Sequence, residues 1–129
     1  MEITTSEANG RFPVTIFHLK GDLMDEEPLQ SQAQKAVAEG SRHILLDLEE
    51  VPYISSAGLR GIQAVFQLLQ DSSGADSKAM RQGILAGTYR SPNLKLLNPS
   101  KNGMKALGVA GYDMFLEIHH DRQTAVDSF

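Results

Sequence analysis

Two adjacent serines, Ser55 and Ser56, offer the hydroxyl groups best placed for chemistry in this sequence. They follow a short apolar run and an aromatic residue, and they precede a glycine at the start of a helical pattern. A serine at a helix N-terminus can accept hydrogen bonds from free backbone N–H groups. The same groups favour a phosphate, which adds roughly −1.5 to −2 charges. These residues therefore predict either a simple helix cap or a phosphorylation switch.

Other residue types give weaker signals for chemistry. His119 and His120 are adjacent, so in a strand they point to opposite faces, and we expect surface histidines rather than a metal site. The G-x-S-x-G nucleophile elbow and the glycine-rich phosphate loops are absent from the sequence. Asp47 ends an apolar run, where an acid is more often a turn or cap acceptor than a general base. We therefore expect no catalytic constellation, no metal and no cofactor, and a protein that is not an enzyme.

Composition narrows the class of protein further. The chain has 129 residues, with 12 Lys+Arg against 16 Asp+Glu and no cysteine. Its net charge of −4 argues against nucleic-acid binding, and the missing cysteines exclude disulfides and thiolate zinc sites. The N-terminus lacks the basic and apolar pattern of a signal peptide, and no run approaches the roughly 18 apolar residues of a membrane span. We expect one cytoplasmic domain over residues 1–129.

The elements that must position the two serines alternate between strands and helices. Strands are predicted at residues 12–19, 43–48, 93–97 and 114–118, with helices at 26–39 and 57–70, one capped by Ser100 and one from about Asp121. This order predicts an α/β domain with some parallel strand pairing. Residues 71–92 are small, polar and glycine-rich, and they predict a long, mobile loop with fast amide exchange.

The segment from Asp47 to Arg60, DL-x-x-V-x-Y-I-S-S-A-G-L-R, resembles the central motif of the STAS domain. This family is best known as bacterial anti-sigma factor antagonists. Gly58 and Leu59 fix the alignment with the family's D-S-x-G-L sequence, which opens a helix. Ser56 then falls on the phosphoacceptor serine of the family, and Ser55 stands where the family often has an acid.

The similarity extends to both sides of this motif. Residues 20–23, KGDL, resemble the family's G-E/D-apolar turn, and residues 111–118 resemble the segment that leads into its last strand. Met24 stands where the family has another acid, and Asp25 follows one residue later. The resemblance implies a STAS-like α/β fold with a mixed sheet of four to five strands and about four helices.

The resemblance also implies a function for this surface. The unmodified domain would bind an anti-sigma factor that is also a serine kinase, and the sigma factor would be released to act in transcription. The kinase would phosphorylate Ser56, and a serine phosphatase would reverse the modification. The partner-binding surface, built around residues 54–62, would include Asp22, Ser55, Ala57, Gly58, Leu59 and Arg60.

Alternatives to this interpretation stay open. Arg60 lies four residues after Ser56, so it can pair with a phosphate there or remain a solvated surface residue. Serine in place of one acid and Met24 in place of another favour a scaffold or accessory subunit of a stress-signalling or transport complex, without phosphorylation. A ligand sensor with residues 71–92 closing over a small molecule is supported only by the length of that loop.

Overall fold

The computed structural model describes residues 1–73, 77–87 and 89–129, with the backbone alone for residues 77–80. Five strands and five α-helices lie in this part of the chain. Their bounds are β1 Glu2–Asn9, β2 Pro13–Lys20, α1 Glu27–Ala38, β3 Ile44–Glu50, α2 Ser56–Ser73, α3 Ser77–Ala86, β4 Leu94–Leu97, α4 Lys101–Ala110, β5 Ile118–His119 and α5 Arg122–Asp127, with a 3₁₀ turn at Tyr112–Met114. None of the described helices is long and apolar enough to span a membrane.

The strands form one mixed sheet in the order β1-β2-β3-β4-β5. β1 pairs with β2 in antiparallel orientation across a short turn, and each later neighbour pairs in parallel. The parallel pairs are separated in sequence by helices, as such crossovers require. The α/β class and mixed sheet expected from the sequence are therefore confirmed.

Both faces of the central strands are buried, as the sequence predicted for β2. Phe17 and Leu19 face the larger apolar core, which α1 and α2 cover. Val14 and Ile16 face the opposite side, where α5 packs on the sheet. Gly40 follows α1 with a φ of +103°, a conformation that residues with a side chain rarely adopt. Helix α1 therefore ends where the sequence predicted.

The predicted last strand at residues 114–118 is mostly wrong. The structure has a 3₁₀ turn at Tyr112–Met114, and β5 begins only at Ile118. Phe115, the aromatic residue of the predicted strand, packs instead edge-on to Phe66, with ring centroids 5.0 Å apart. The large apolar residues at this point favour a strand by composition, but here they pack against the core without forming one.

The loop predicted over residues 71–92 is also corrected, although residues 74–76 and 88 lie outside the described part of the chain. Helix α2 continues to Ser73, and Ser77–Ala86 form α3, the helix beyond the expected four. Tyr89 packs edge-on to Phe66, with ring centroids 6.3 Å apart. Residues 77–86 are therefore helical although their composition is small and polar, and the mobility and fast amide exchange expected of residues 71–92 stay a prediction.

Candidate functional site

Of the two serines, Ser55 is the N-cap of α2. Its Oγ accepts a hydrogen bond from the backbone N–H of Gly58 at 3.1 Å. The Ser55 hydroxyl also donates to the Leu23 carbonyl oxygen at 3.3 Å, and its backbone N–H donates to the same oxygen at 2.9 Å. The hydroxyl of Ser55 is therefore engaged in structure. Ser56 is the first residue of the helix, and it is exposed.

The loop that carries Asp22 and Met24 is held against this helix start. Leu23 forms an isolated parallel bridge with Ile54. A methyl group added to Gly58 would collide with the Leu23 carbonyl oxygen, so the two segments approach as closely as a glycine allows. The motif glycine thus brings the predicted partner residue Asp22, which is exposed, to the same end of the sheet as Ser56.

An apolar groove of about 630 Å³ opens beside Ser56, between the start of α2 and helix α4. It includes Tyr53, which is 48% exposed, and Val109, which is 84% exposed. The full lining is Tyr53, Ile54, Ser56, Leu59, Asn102, Lys105, Ala106, Val109 and Ala110. Exposed apolar area of this kind beside a modifiable hydroxyl suits a protein contact more than a small charged ligand.

Arg60 does not pair with Ser56 in this structure. Its Nε lies 3.7 Å from Oε2 of Glu26, and its side chain is 61% exposed. It lines a separate depression together with Glu26, Gln63, Ala64 and Gln67. The structure therefore places Arg60 on a neighbouring surface, closer to the solvated alternative than to a phosphate clamp.

The remaining predicted contact residues differ in exposure. Ala57 and Leu59 are half-buried, and Gly58 is buried against Leu23. The Leu59 carbonyl oxygen accepts a hydrogen bond from the Tyr112 hydroxyl at 3.1 Å. Burial raises the pKa of Tyr112, while the charge of Arg60 acts in the opposite direction. Gly58 and Leu59 therefore lie under this surface and support it, and neither presents a large exposed side chain on it.

A hydrogen-bonded chain of Ser6, His18 and Asp47 escaped the sequence analysis. His18 Nδ1 lies 2.9 Å from Asp47 Oδ2, and His18 Nε2 lies 3.0 Å from Ser6 Oγ. In a neutral imidazole one ring nitrogen donates and the other accepts, so the tautomer of His18 sets the direction of both hydrogen bonds. The chain crosses β1, β2 and β3, and it ties the polar edge strand β1 to the sheet. The sequence predicted only that Asp47 would accept a hydrogen bond in a turn. This prediction is confirmed, since Asp47 Oδ1 accepts from the Glu49 N–H.

A second polar cluster surrounds Lys95, whose side chain is only 4% exposed. Its Nζ lies 3.0 Å from Glu117 Oε2 and donates to the Ser128 carbonyl oxygen at 2.8 Å. His119 also contacts Glu117, at 3.2 Å, and is half-buried, so the surface interpretation holds for His120 alone. In the part of the chain described here, no three His, Asp or Glu residues are grouped to hold a metal ion.

Comparisons with known proteins agree with this architecture. The model of the STAS domain matches residues 5–75, more than half of the chain. The crystal structure of a candidate anti-sigma factor antagonist from Thermotoga maritima is similar, with a TM-score of 0.69, 17% identity, and coverage of 97% of this chain and 92% of that one. The anti-sigma factor antagonist SpoIIAA in its unphosphorylated form gives a TM-score of 0.58, 16% identity, and coverage of 95% and 92%. At such identities the likeness extends to the fold alone. No curated protein matches the sequence.

Proposed function

This chain belongs to the STAS domain family, and we propose that it acts as an anti-sigma factor antagonist controlled by phosphorylation of Ser56. The observation that carries the proposal is the division of roles between the two serines. Ser55 caps α2, so the hydroxyl of Ser56 is left exposed at the edge of an apolar groove. A kinase can reach such a hydroxyl without unfolding the helix.

In the unmodified state, the surface around residues 54–62, together with Asp22, binds an anti-sigma factor that is also a serine kinase. The sigma factor is thereby released to act in transcription. The kinase then transfers the γ-phosphoryl group of ATP to Ser56 Oγ, whose proton passes to a base of the kinase, and ADP leaves. This chain supplies the acceptor hydroxyl and no catalytic group, so it is a substrate rather than an enzyme. A serine phosphatase hydrolyses the phosphate, and the cycle takes place in the cytoplasm.

Phosphorylation ends the interaction through charge. A phosphate brings roughly −1.5 to −2 charges to a rim that includes Tyr53 and Leu59. Burying such a charge against an apolar partner surface costs far more than burying a hydroxyl. Phosphorylation therefore lowers the affinity of the kinase for the apolar groove, and the kinase dissociates.

A scaffold or accessory subunit without phosphorylation is the second candidate function. It is favoured by Met24, which is 48% exposed at a position where the family has an acid. An exposed methionine on the loop that packs against the start of α2 can contribute to a constitutive apolar contact. In this case the same surface binds a partner permanently, and Ser56 is only the first residue of a helix.

The first test is intact mass measurement with phosphosite mapping, on protein isolated from its native cell before and after phosphatase treatment. We expect a single phosphate on Ser56 that phosphatase removes. A bare Ser56 under growth and stress conditions alike would support the scaffold function and contradict the switch.

Binding to the co-purified kinase provides the second test. We expect Ser56→Ala to keep the affinity of the parent and Ser56→Asp to abolish it in a titration. Ser31→Asp, which adds the same charge to an exposed serine of α1, serves as the matched control. Equal affinities for the two Ser56 variants would refute the proposed switch.

A further inference from the structure

The side chains of Ser56 and Arg60 face different depressions, although one helical turn separates them in sequence. Ser56 lines the α2–α4 groove, whereas Arg60 lines the depression that contains Glu26. Because Arg60 lies close to Glu26 on that other surface, a phosphate on Ser56 would have to draw it away from a carboxylate. A partner for the phosphate is better sought within the groove.

Helix α4 presents that partner. Asn102, Lys105, Ala106 and Val109 all line the groove, and their spacing of three, four and seven residues places them on one face of the helix. Lys105 is the one side chain among the nine lining residues that carries a charge at neutral pH. Within the described residues it has no hydrogen bond or ion pair. Its ammonium group is therefore free to meet an anion.

We propose that Lys105 holds the phosphate of phosphorylated Ser56 inside the α2–α4 groove, with the Asn102 amide as a second donor. The inference rests on the proposed phosphorylation of Ser56 and adds its structural consequence. The phosphoserine does more than repel the kinase, since its own side chain fills part of the groove that the kinase uses. Attraction between a phosphate and an ammonium group supplies the driving force.

The test uses full-length protein with phosphoserine installed at position 56 during translation, which requires no kinase. The second pKa of the phosphate, near 6 in a free phosphoserine, is followed by ³¹P NMR over a pH titration. A lysine about 4 Å from a phosphate lowers this pKa by about half a unit in water once screening by about 0.15 M salt is included. We expect Lys105→Gln to raise the phosphate pKa by that amount, and Asn102→Ala by less.

Two matched variants serve as controls. Lys101→Gln removes the same charge from α4 at a residue outside the groove lining, and Arg60→Gln removes the charge predicted from the sequence. We expect neither to move the phosphate pKa appreciably. An unchanged pKa in Lys105→Gln would overturn the proposal, as would a shift in Lys101→Gln of equal size. A shift in Arg60→Gln alone would assign the phosphate to Arg60 instead.

These results are separate from those that decide the proposed function. If native Ser56 is never phosphorylated, the switch fails while the installed phosphate still reports on Lys105. If the switch is correct, phosphorylated Lys105→Gln should recover part of the lost kinase affinity, about threefold, because half a pKa unit corresponds to that factor. No recovery, with the parent and unmodified Lys105→Gln binding equally well, would refute the groove-filling role.

Discussion

Gly58→Ala should destabilise the protein, although alanine is the better helix former. The added methyl group would collide with the Leu23 carbonyl oxygen, which accepts two hydrogen bonds from Ser55. Displacing this carbonyl weakens both bonds, at about 1 kcal/mol each, and overpacking costs about 1–3 kcal/mol. Helix propensity returns about 1 kcal/mol. We therefore expect the free energy of unfolding to fall by about 2–4 kcal/mol.

Urea unfolding followed by circular dichroism measures this loss, provided that the slope with urea concentration stays unchanged. Gly108→Ala is the matched control, because it lies in α4 and its added methyl would meet only the Asp113 carboxylate at 3.8 Å. That variant should gain about 0.5–1 kcal/mol from helix propensity. A Gly58→Ala protein as stable as the parent would refute the close approach. Equal losses in both variants would point to a general effect of alanine in these helices.

Two further predictions concern stability. Ser55→Ala should lower the free energy of unfolding by about 1 kcal/mol because the cap is lost, whereas Ser56→Ala should change it little. Urea unfolding of both variants measures this difference, and equal losses would contradict the assignment of the cap to Ser55. Burial, together with the charge of Lys95, lowers the pKa of His43 from its ordinary 6.5. The unfolded chain therefore binds this proton more readily, so stability should fall as the pH drops below 6.5. His43→Gln should make that fall shallower, and an unchanged pH profile would contradict the assignment.

The sequence predicted the elements whose patterns are local. Helix α1 with its closing Gly40, the apolar strand β3 and the Ser100 cap of α4 all depend on periodicity and turn residues within a few positions. The cap is confirmed by the Gly103 N–H, which donates to Ser100 Oγ at 3.0 Å. Strand β1 was missed because its residues, EITTSEAN, are mainly polar. Its pairing with β2 and the link from Ser6 to His18 are long-range contacts that no local pattern reveals.

The candidate site shows the same division. Motif spacing placed Ser55 and Ser56 at the start of α2 but left open which of them caps it, because either hydroxyl can do so at a helix start. The Leu23 carbonyl decides the matter, and Leu23 lies 32 residues away in sequence. Arg60 was assigned by helical spacing, yet its side chain lies 3.7 Å from Glu26 on a separate segment. Contacts between segments thus set the roles that spacing alone could not.

The departures from the family motif change charge more than geometry. An acid at position 55 would cap α2 about as well as Ser55 does, because aspartate and serine are comparable N-caps. Replacing the acid therefore preserves the cap and removes one negative charge next to Ser56. Met24 removes another from its position in the adjoining loop, where the next carboxylate is that of Asp25, one residue later. A phosphate on Ser56 would consequently enter a less acidic neighbourhood, where it competes with fewer carboxylates for the unpaired ammonium group of Lys105. Ser55 and Met24, the two residues that differ from the usual motif, thus favour binding of the phosphate within the α2–α4 groove.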